Sequence, residues 1–395
     1  MRVFLFALCL LALAPLALAC PFCTALAPSL REEFAQYDYI ATAVCEGQSG
    51  EGSDQAIHDF RISELLQRPI SSPASQQTPV VGRIVQGYSN EQVSSGEQTL
   101  MFGIDVDGEI AWSPSEPLSN DAVDYVQSML VLRESESTAG KTAYRAWLDL
   151  FWDNLESPDK WVRADAYNAV AAFSIAELQP WSQRIAATEV MQRISQSRTS
   201  KEHRRFYWTI LALCGDADDA EFARKSIYGQ LKRREKSRFA SDRIGLDAAI
   251  SCFLFLGKER ALERIEADFF GGAARHSSEM FAAISALRVH AQEFEAIDQK
   301  RIGSTLSLLL DDASLADQVI PDLARLEDWA HVSKLMRLFK DAKNSEQFVR
   351  VPIINYLRAC PLPEAAAALE QCKTIDPVAY RRANVIFPTP KTAKS

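Results

Sequence analysis

Cys20-Pro21-Phe22-Cys23 is the one local motif in this chain that carries reactive chemistry. A Cys-x-x-Cys pair can lower the pKa of its first thiol and cycle between dithiol and disulfide. Enzymes that use it so place it after a strand, opening a helix inside a βαβ unit. No strand pattern precedes it here, and two readings stand side by side. In one, Cys20 and Cys23 are redox cysteines. In the other, one of them bridges Cys45 and staples the segment to the strand that carries it, closing a loop of roughly 20 residues worth about 3 kcal/mol in the chain-entropy model. Cys360 and Cys372 flank Pro361-Leu362-Pro363 and the helix after it, a second candidate pair. Cys214 and Cys252 lie in apolar helical runs, where cysteine acts as a small hydrophobe.

Other reaction chemistries lack their parts. The five histidines, His58, His203, His276, His290 and His331, are isolated, and neither a His-Glu-x-x-His motif nor a second Cys-x-x-Cys is present, so no metal site is expected. Thr24 follows Cys23 where haem attachment needs histidine. Gly140-Lys141-Thr142 ends like a phosphate loop, but Ser135 stands at the required first glycine. No Gly-x-Ser-x-Gly elbow occurs. Asp216, Asp218, Asp219, Asp311 and Asp312 sit at helix ends, where carboxylates serve capping and the helix dipole. No catalytic residue beyond Cys20 and Cys23 and no cofactor is expected.

One stretch departs from the acidic average. Arg204, Arg205, Arg224, Lys225, Lys232, Arg233, Arg234 and Arg238 crowd the region from Arg198 to Arg243. They read as a solvated outer helix face or as an anion-binding patch. Trp147, Phe151 and Trp152 fall at helical spacing and read as core.

The chain opens Met1-Arg2 and runs apolar from Val3 to Ala19, with Ala17-Leu18-Ala19 before Cys20 as a small-x-small cleavage site. Residues 1–19 therefore read as a signal peptide, and the protein as exported, periplasmic or extracellular. Cys20 would then be the first mature residue. A lipid anchor on it is the alternative, but Ala17 stands where a lipobox carries leucine. Seven cysteines remain after cleavage, an odd number that leaves one thiol unpaired within a monomer. The formal charge of −9 gives no global attraction for nucleic acid or anionic lipid. No later segment is apolar enough to span a membrane.

Positioning these residues falls to two kinds of structure. Residues 20–132 alternate short strand patterns with turn signals. Tyr39–Cys45, Ala56–Ile62, Val80–Val85, Gln98–Ile104 and Glu109–Trp112 read as strands, with Asp107-Gly108 as a tight turn. A short helix at Leu30–Phe34 and one at Asp121–Leu130, capped by Asn120, frame them. Several short strands with a framing helix suggest a small β-barrel. After a linker at 133–142, residues 143–376 repeat an apolar helix followed by another helix. The ends fall at Phe173, Cys214, Leu256, His290, Leu326 and Cys360, spaced 34–42 residues apart, the size of a two-helix unit that must stack on its neighbours. Residues 377–395 read as a Pro- and Lys-containing tail.

The helical run resembles HEAT and armadillo repeats. Trp161-Val162-Arg163 and Phe348-Val349-Arg350 each open a second-helix pattern after a turn-like start, Ser157-Pro158-Asp159 and Asn344-Ser345-Glu346. The N-terminal part resembles the netrin-like module, the OB-type barrel of tissue inhibitors of metalloproteinases. Cys20, the Val44-Cys45 strand and the hairpin-then-helix ending carry that likeness, while Cys-x-x-Cys replaces the family's Cys-x-Cys. In that family the N-terminal cysteine pins the chain end and, in the inhibitors, its amine and carbonyl chelate a protease zinc; only Cys20 maps onto this role. The whole chain also resembles exported bacterial proteins whose mature form starts Cys-Pro-Phe-Cys. The expected architecture is α+β multidomain: a small N-terminal β-barrel-like module followed by an all-α HEAT-like solenoid. The expected function is non-enzymatic binding or scaffolding of a protein partner on the helical-repeat surface. Thiol–disulfide exchange through Cys20 and Cys23, and protease inhibition through Cys20, are the alternatives.

Overall fold

The computed structural model describes residues 22–23, 27–51, 56–68, 81–89, 93–107, 109–139, 143–234, 245–271, 276–312, 314–342 and 348–386. Five strands form a closed barrel over residues 39–117: β1 (Tyr39–Glu51), β2 (Ala56–Gln67), β3 (Ile84–Ser89), β4 (Gln98–Val106) and β5 (Glu109–Pro117), in the order β1-β2-β3-β5-β4. Strand β1 pairs antiparallel with both β2 and β4, Cys45 opposite Phe60 and Ala41 opposite Met101. Register shifts along β1, one of them between Cys45 and Gly47, give the bend that lets one strand serve two neighbours. The barrel closes where β3 meets β5 in parallel, at Gly87 opposite Trp112. A Cβ at Gly87 would stand 3.0 Å from both Met101 and Phe60, so glycine permits this closure. Tyr39, Ala41, Ala43, Cys45, Phe60 and Met101 fill the interior.

The sequence reading places β3 at Val80–Val85, whereas the strand runs Ile84–Ser89. Val81 and Gly82 form a turn, with Gly82 at φ +87, and pairing with β2 starts only at Ile84 opposite Arg61. Asp107, at φ +55, makes the expected turn between β4 and β5; Gly108 lies outside the described residues.

Helix α1 (Leu30–Gln36) precedes the barrel, and α2 (Asn120–Ala139) follows it. Glu32 closes the start of α1 by accepting the Ser29 backbone N–H at 2.8 Å. At α2 the cap is Ser119, whose Oγ accepts the Ala122 N–H at 3.1 Å, rather than Asn120, which lies within the helix. Then come α3 (Ala143–Asn154), α4 (Lys160–Ala171) and α5 (Ile175–Ser182). The predicted Pro-Asp start of α4 holds: the Asp159 carboxylate accepts the Trp161 and Val162 N–H groups at 2.7 and 3.0 Å.

The chain divides into two compact units, residues 1–181 and 182–395. Helices α3 to α5 therefore belong with the barrel, a division lying well beyond the 133–142 segment. The second unit holds α6 (Ala187–Ser195), α7 (Lys201–Cys214), α8 (Ala220–Arg234), α9 (Leu246–Ile265), a π turn (Glu266–Phe270), α10 (Ser277–Glu293), α11 (Gln299–Ser307) and a 3-10 turn (Leu308–Asp311). It ends with α12 (Ala316–Arg325), α13 (Val332–Asp341), α14 (Arg350–Ala359), α15 (Pro363–Ile375) and α16 (Pro377–Ile386). Packing runs between near neighbours in the chain: α6 on α7, α7 and α8 on α9, α9 on α10, α10 on α11, α11 on α12, α12 on α14, and α13 to α16 among themselves. The apolar runs of the repeat lie in helices, with the ends at Phe173, Leu326 and Cys360 falling just past α4, α12 and α14. The segment from 377, read as a tail, begins instead with α16, whose first turn is capped by Asp376 accepting the Val378 and Ala379 N–H groups at 3.1 and 2.9 Å. No described helix is long and apolar enough to cross a membrane.

Candidate functional site

The cysteines separate by environment. Cys20 lies outside the described residues, and Cys23, half-buried, is disulfide-bonded. Cys45 is a free thiol and does not form the expected staple. It points inward from β1, only 1% exposed, with Sγ 3.7 Å from the Val93 carbonyl and 3.9 Å from His58 Nδ1. Burial raises its pKa, so the group beside His58 is a thiol and not a thiolate nucleophile. His58 Nε2 is buried without a hydrogen-bond partner among the described residues. Cys360 and Cys372 are likewise free and unbridged. Cys360 ends α14, while Cys372 sits far along α15 against the Met336 sulfur at 3.5 Å, because the Pro361-Leu362-Pro363 turn starts a new helix rather than folding back. Burial pushes Cys372 and Cys214 up to about 11 and Cys252 well above the usual thiol value. Among the described residues no group of three or more His, Cys, Asp or Glu side chains could hold a metal ion.

The basic cluster splits in two. On α7, Arg204 donates to the Gln196 and Thr199 carbonyls at 3.2 Å each, and Arg205 pairs with Asp247. Both arginines are spent on local structure. On α8, Arg224 grips both oxygens of Glu221 at 2.7 Å, with Lys225 at 3.8 Å from the same carboxylate. Lys232 is exposed further along α8; the side chains of Arg233 and Arg234, and all of Arg238, lie outside the described residues.

Arg224 alone of the cluster's described members borders a cavity of about 760 Å³ in the second unit, between α8 and α9. Its floor is apolar, from Phe253, Leu256 and Ala261, and its rim carries Arg224, Lys258, Arg260 and Arg264. The cavity lies where α9 breaks. Lys258 sits at φ 48, ψ −131, outside helical geometry, and the helix resumes after it. A side chain at Gly257 would meet the Ala261 Cβ at 2.8 Å, so the break needs glycine there. Non-glycine backbone in this region costs of order 1–3 kcal/mol and persists where surrounding packing over-determines it.

The rim is electrostatically uneven. Arg264 pairs with Asp268 of the π turn at 2.6 Å, and the guanidinium groups of Arg264 and Arg224 lie 5.7 and 5.6 Å from the centre of the Tyr228 ring, whose hydroxyl also bonds Asp268. Glu259 is held by Arg301 at 3.2 Å, and Arg301 is itself clamped by Glu266 at 2.6 and 2.9 Å. Lys258 and Arg260 are exposed and have no ion-pair partner among the described residues. Sequence reading catches Arg224 and Lys225 but misses Lys258, Arg260, Arg264 and Tyr228. The available signal was Gly257, which the repeat pattern marks as a helix end.

The first unit has two further features. A groove of about 490 Å³ runs along β3 and β5, lined by Arg83, Ile84, Gln86, Tyr88 and Glu109, with Ile84 and Tyr88 exposed. At the base of α1, Asp165 of α4 is buried and accepts the Leu30 N–H at 2.6 Å and the Tyr125 hydroxyl at 2.7 Å. Burial pushes its carboxyl up to about 6, the two hydrogen bonds opposing the rise. Burial, together with the charges of Asp165 and Glu32, pushes Glu33 up to about 7. Tyr125 is raised well above its usual value by burial and by Asp165. No family model, curated protein or solved structure matches this chain.

Proposed function

We propose that this chain is an exported, non-enzymatic binding protein that holds a protein partner on the helices of its second unit. The observation that carries the reading is the α8–α9 cavity, where an apolar floor meets cations that have no ion-pair partner among the described residues, in an otherwise acidic protein. Near-neighbour packing from α6 to α16 supports a HEAT-like solenoid, a construction that yields long binding surfaces. The strand order β1-β2-β3-β5-β4 supports an OB-type, netrin-like barrel as the companion module. Export rests on the apolar run and cleavage site of residues 1–19.

The test is crosslinking of the tagged full chain in its exported fraction, with the crosslinked residues mapped by mass spectrometry. The reading expects partner crosslinks on residues 187–386. Crosslinks confined to the barrel, or none above a denatured control, would overturn it.

One observation favours a second reading, thiol–disulfide exchange. Cys23 is disulfide-bonded and only half-buried, so an exchanging thiol could reach it. Insulin reduction that disappears with Cys23→Ser would establish that reading, and its absence would remove it.

A further inference from the structure

We propose that the α8–α9 cavity binds a short acidic peptide segment that carries an apolar side chain between its carboxylates. The inference rests on the protein-binding reading above and names the partner's chemistry. Three features of the cavity lead to it.

The first is its size. At about 760 Å³ and widely open to solvent, it has room for a few side chains of a bound segment. The second is the division between floor and rim. Phe253 and Leu256 line the cavity with little area of their own left exposed, so the gain from an entering apolar side chain is the burial of its own hydrocarbon against them. The third is charge. Arg224 and Arg264 already have carboxylate partners in Glu221 and Asp268, while Lys258 and Arg260 have none among the described residues. The two unpaired cations stand two residues apart on either side of Glu259, whose carboxylate is turned to Arg301. Lys258 is held in this position by a backbone conformation that a glycine would adopt more easily.

An acidic segment satisfies both halves at once: carboxylates pair with Lys258 and Arg260, and an intervening leucine or phenylalanine covers the floor. A membrane surface fits less well. The protein carries a formal charge of −9, so an anionic bilayer would repel the molecule as a whole while attracting this one rim.

The test uses the full chain and fluorescence anisotropy with three short labelled peptides. One has a Leu-Phe centre flanked by Glu and Asp; one replaces the acids by Gln and Asn; one keeps the acids and replaces Leu-Phe by Gly-Gly. The first is expected to bind, each of the others at least about tenfold more weakly, a difference of about 1.4 kcal/mol. Lys258→Gln with Arg260→Gln is expected to weaken the first peptide by about tenfold or more, and Lys300→Gln, an exposed cation on α11, to leave it unchanged. Affinity should fall as salt is raised. If the double variant misfolds by circular dichroism, Arg260→Gln alone is measured and should weaken binding several-fold. Failure of the first peptide to bind, equal binding of the neutral peptide, or affinity retained in the folded variants would overturn the proposal. Binding to phosphatidylglycerol vesicles in place of the peptide would overturn it too. If partner crosslinks map to the helices while the peptide fails, this inference falls alone; if no crosslink maps there, the protein-binding reading falls as well.

Discussion

Replacing Glu33 by glutamine should stabilise the protein at neutral and mildly alkaline pH and leave it unchanged in acid. Glu33 on α1 shares a half-buried site with Asp165 on α4, Glu32 on its own helix and Tyr125 on α2. The nearest cation in sequence, Arg31, is engaged with Glu136 at 3.0 Å. The folded protein holds the Glu33 proton up to about pH 7, whereas an unfolded chain releases it near the ordinary value of 4.5. Between those values the native state binds more protons than the unfolded state, so stability is greatest below about 4.5 and falls as pH rises through about 7. A shift of this size corresponds to about 3 kcal/mol for a fully enclosed group. Glu33 is partly exposed, and solvent screening brings the expectation to about 1–2 kcal/mol. Glutamine keeps the shape and cannot ionise. Urea unfolding followed by tryptophan fluorescence, run on both proteins from about pH 4.5 to about pH 8, should show curves that agree in acid and separate by that amount at the alkaline end. A variant no more stable than the parent at about pH 8, or a gap that opens in acid, would refute the reasoning.

Three further outcomes follow from the same geometry. Alkylation of the denatured, unreduced protein should label Cys45, Cys214, Cys252, Cys360 and Cys372, with Cys23 labelled only after reduction, as read by peptide mass spectrometry. Gly103→Ala should lower barrel stability by about 1–3 kcal/mol in a urea melt, because the new Cβ would meet Ile110 at 2.8 Å and Trp112 at 3.0 Å. Lys258→Gly should raise stability by up to about 1 kcal/mol, since relief of an unfavourable backbone conformation exceeds the entropy cost of glycine, while weakening acidic-peptide binding.

The barrel was legible as strands because half-buried strands alternate and turns use a restricted set of residues. Tyr39–Cys45 and Gln98–Ile104 lie inside β1 and β4. The position of β3 was not legible. Val80–Val85 has good strand composition, but Gly82 adopts positive φ and the pairing that defines β3 comes from β2 across a long connection. Local composition cannot supply that register. Cys45 shows the same limit. Its proximity in sequence to Cys20 and Cys23 suggested a bridge, while the period-two geometry of β1 turns it into the barrel interior opposite Phe60. Asp376-Pro377 carried a helix-start signal, an acidic cap followed by proline, inside a segment whose composition read as a tail.

The basic cluster explains why the site was only half visible. Charges adjacent in sequence between Arg198 and Arg243 are divided by the turn between α7 and α8, and the α7 members are consumed by Asp247 and by backbone carbonyls. Their density along the chain therefore overstates their free charge. Lys258 and Arg260 belong to a different helix with ordinary composition and gain their place only because α9 breaks beside them. Gly257 marked that break, yet helix periodicity alone reads a glycine after an apolar run as an end, and the continuation through Ile265 restores the pattern within a turn. What distinguishes the site is a difference in pairing: Arg224 and Arg264 are neutralised by partners within reach on their own helix or the turn that extends it, whereas the two cations at the break project where no carboxylate among the described residues is free to meet them. An acidic protein in which two cations stand unmatched among the described residues beside a nearly buried apolar floor has a local imbalance that a complementary acidic segment corrects.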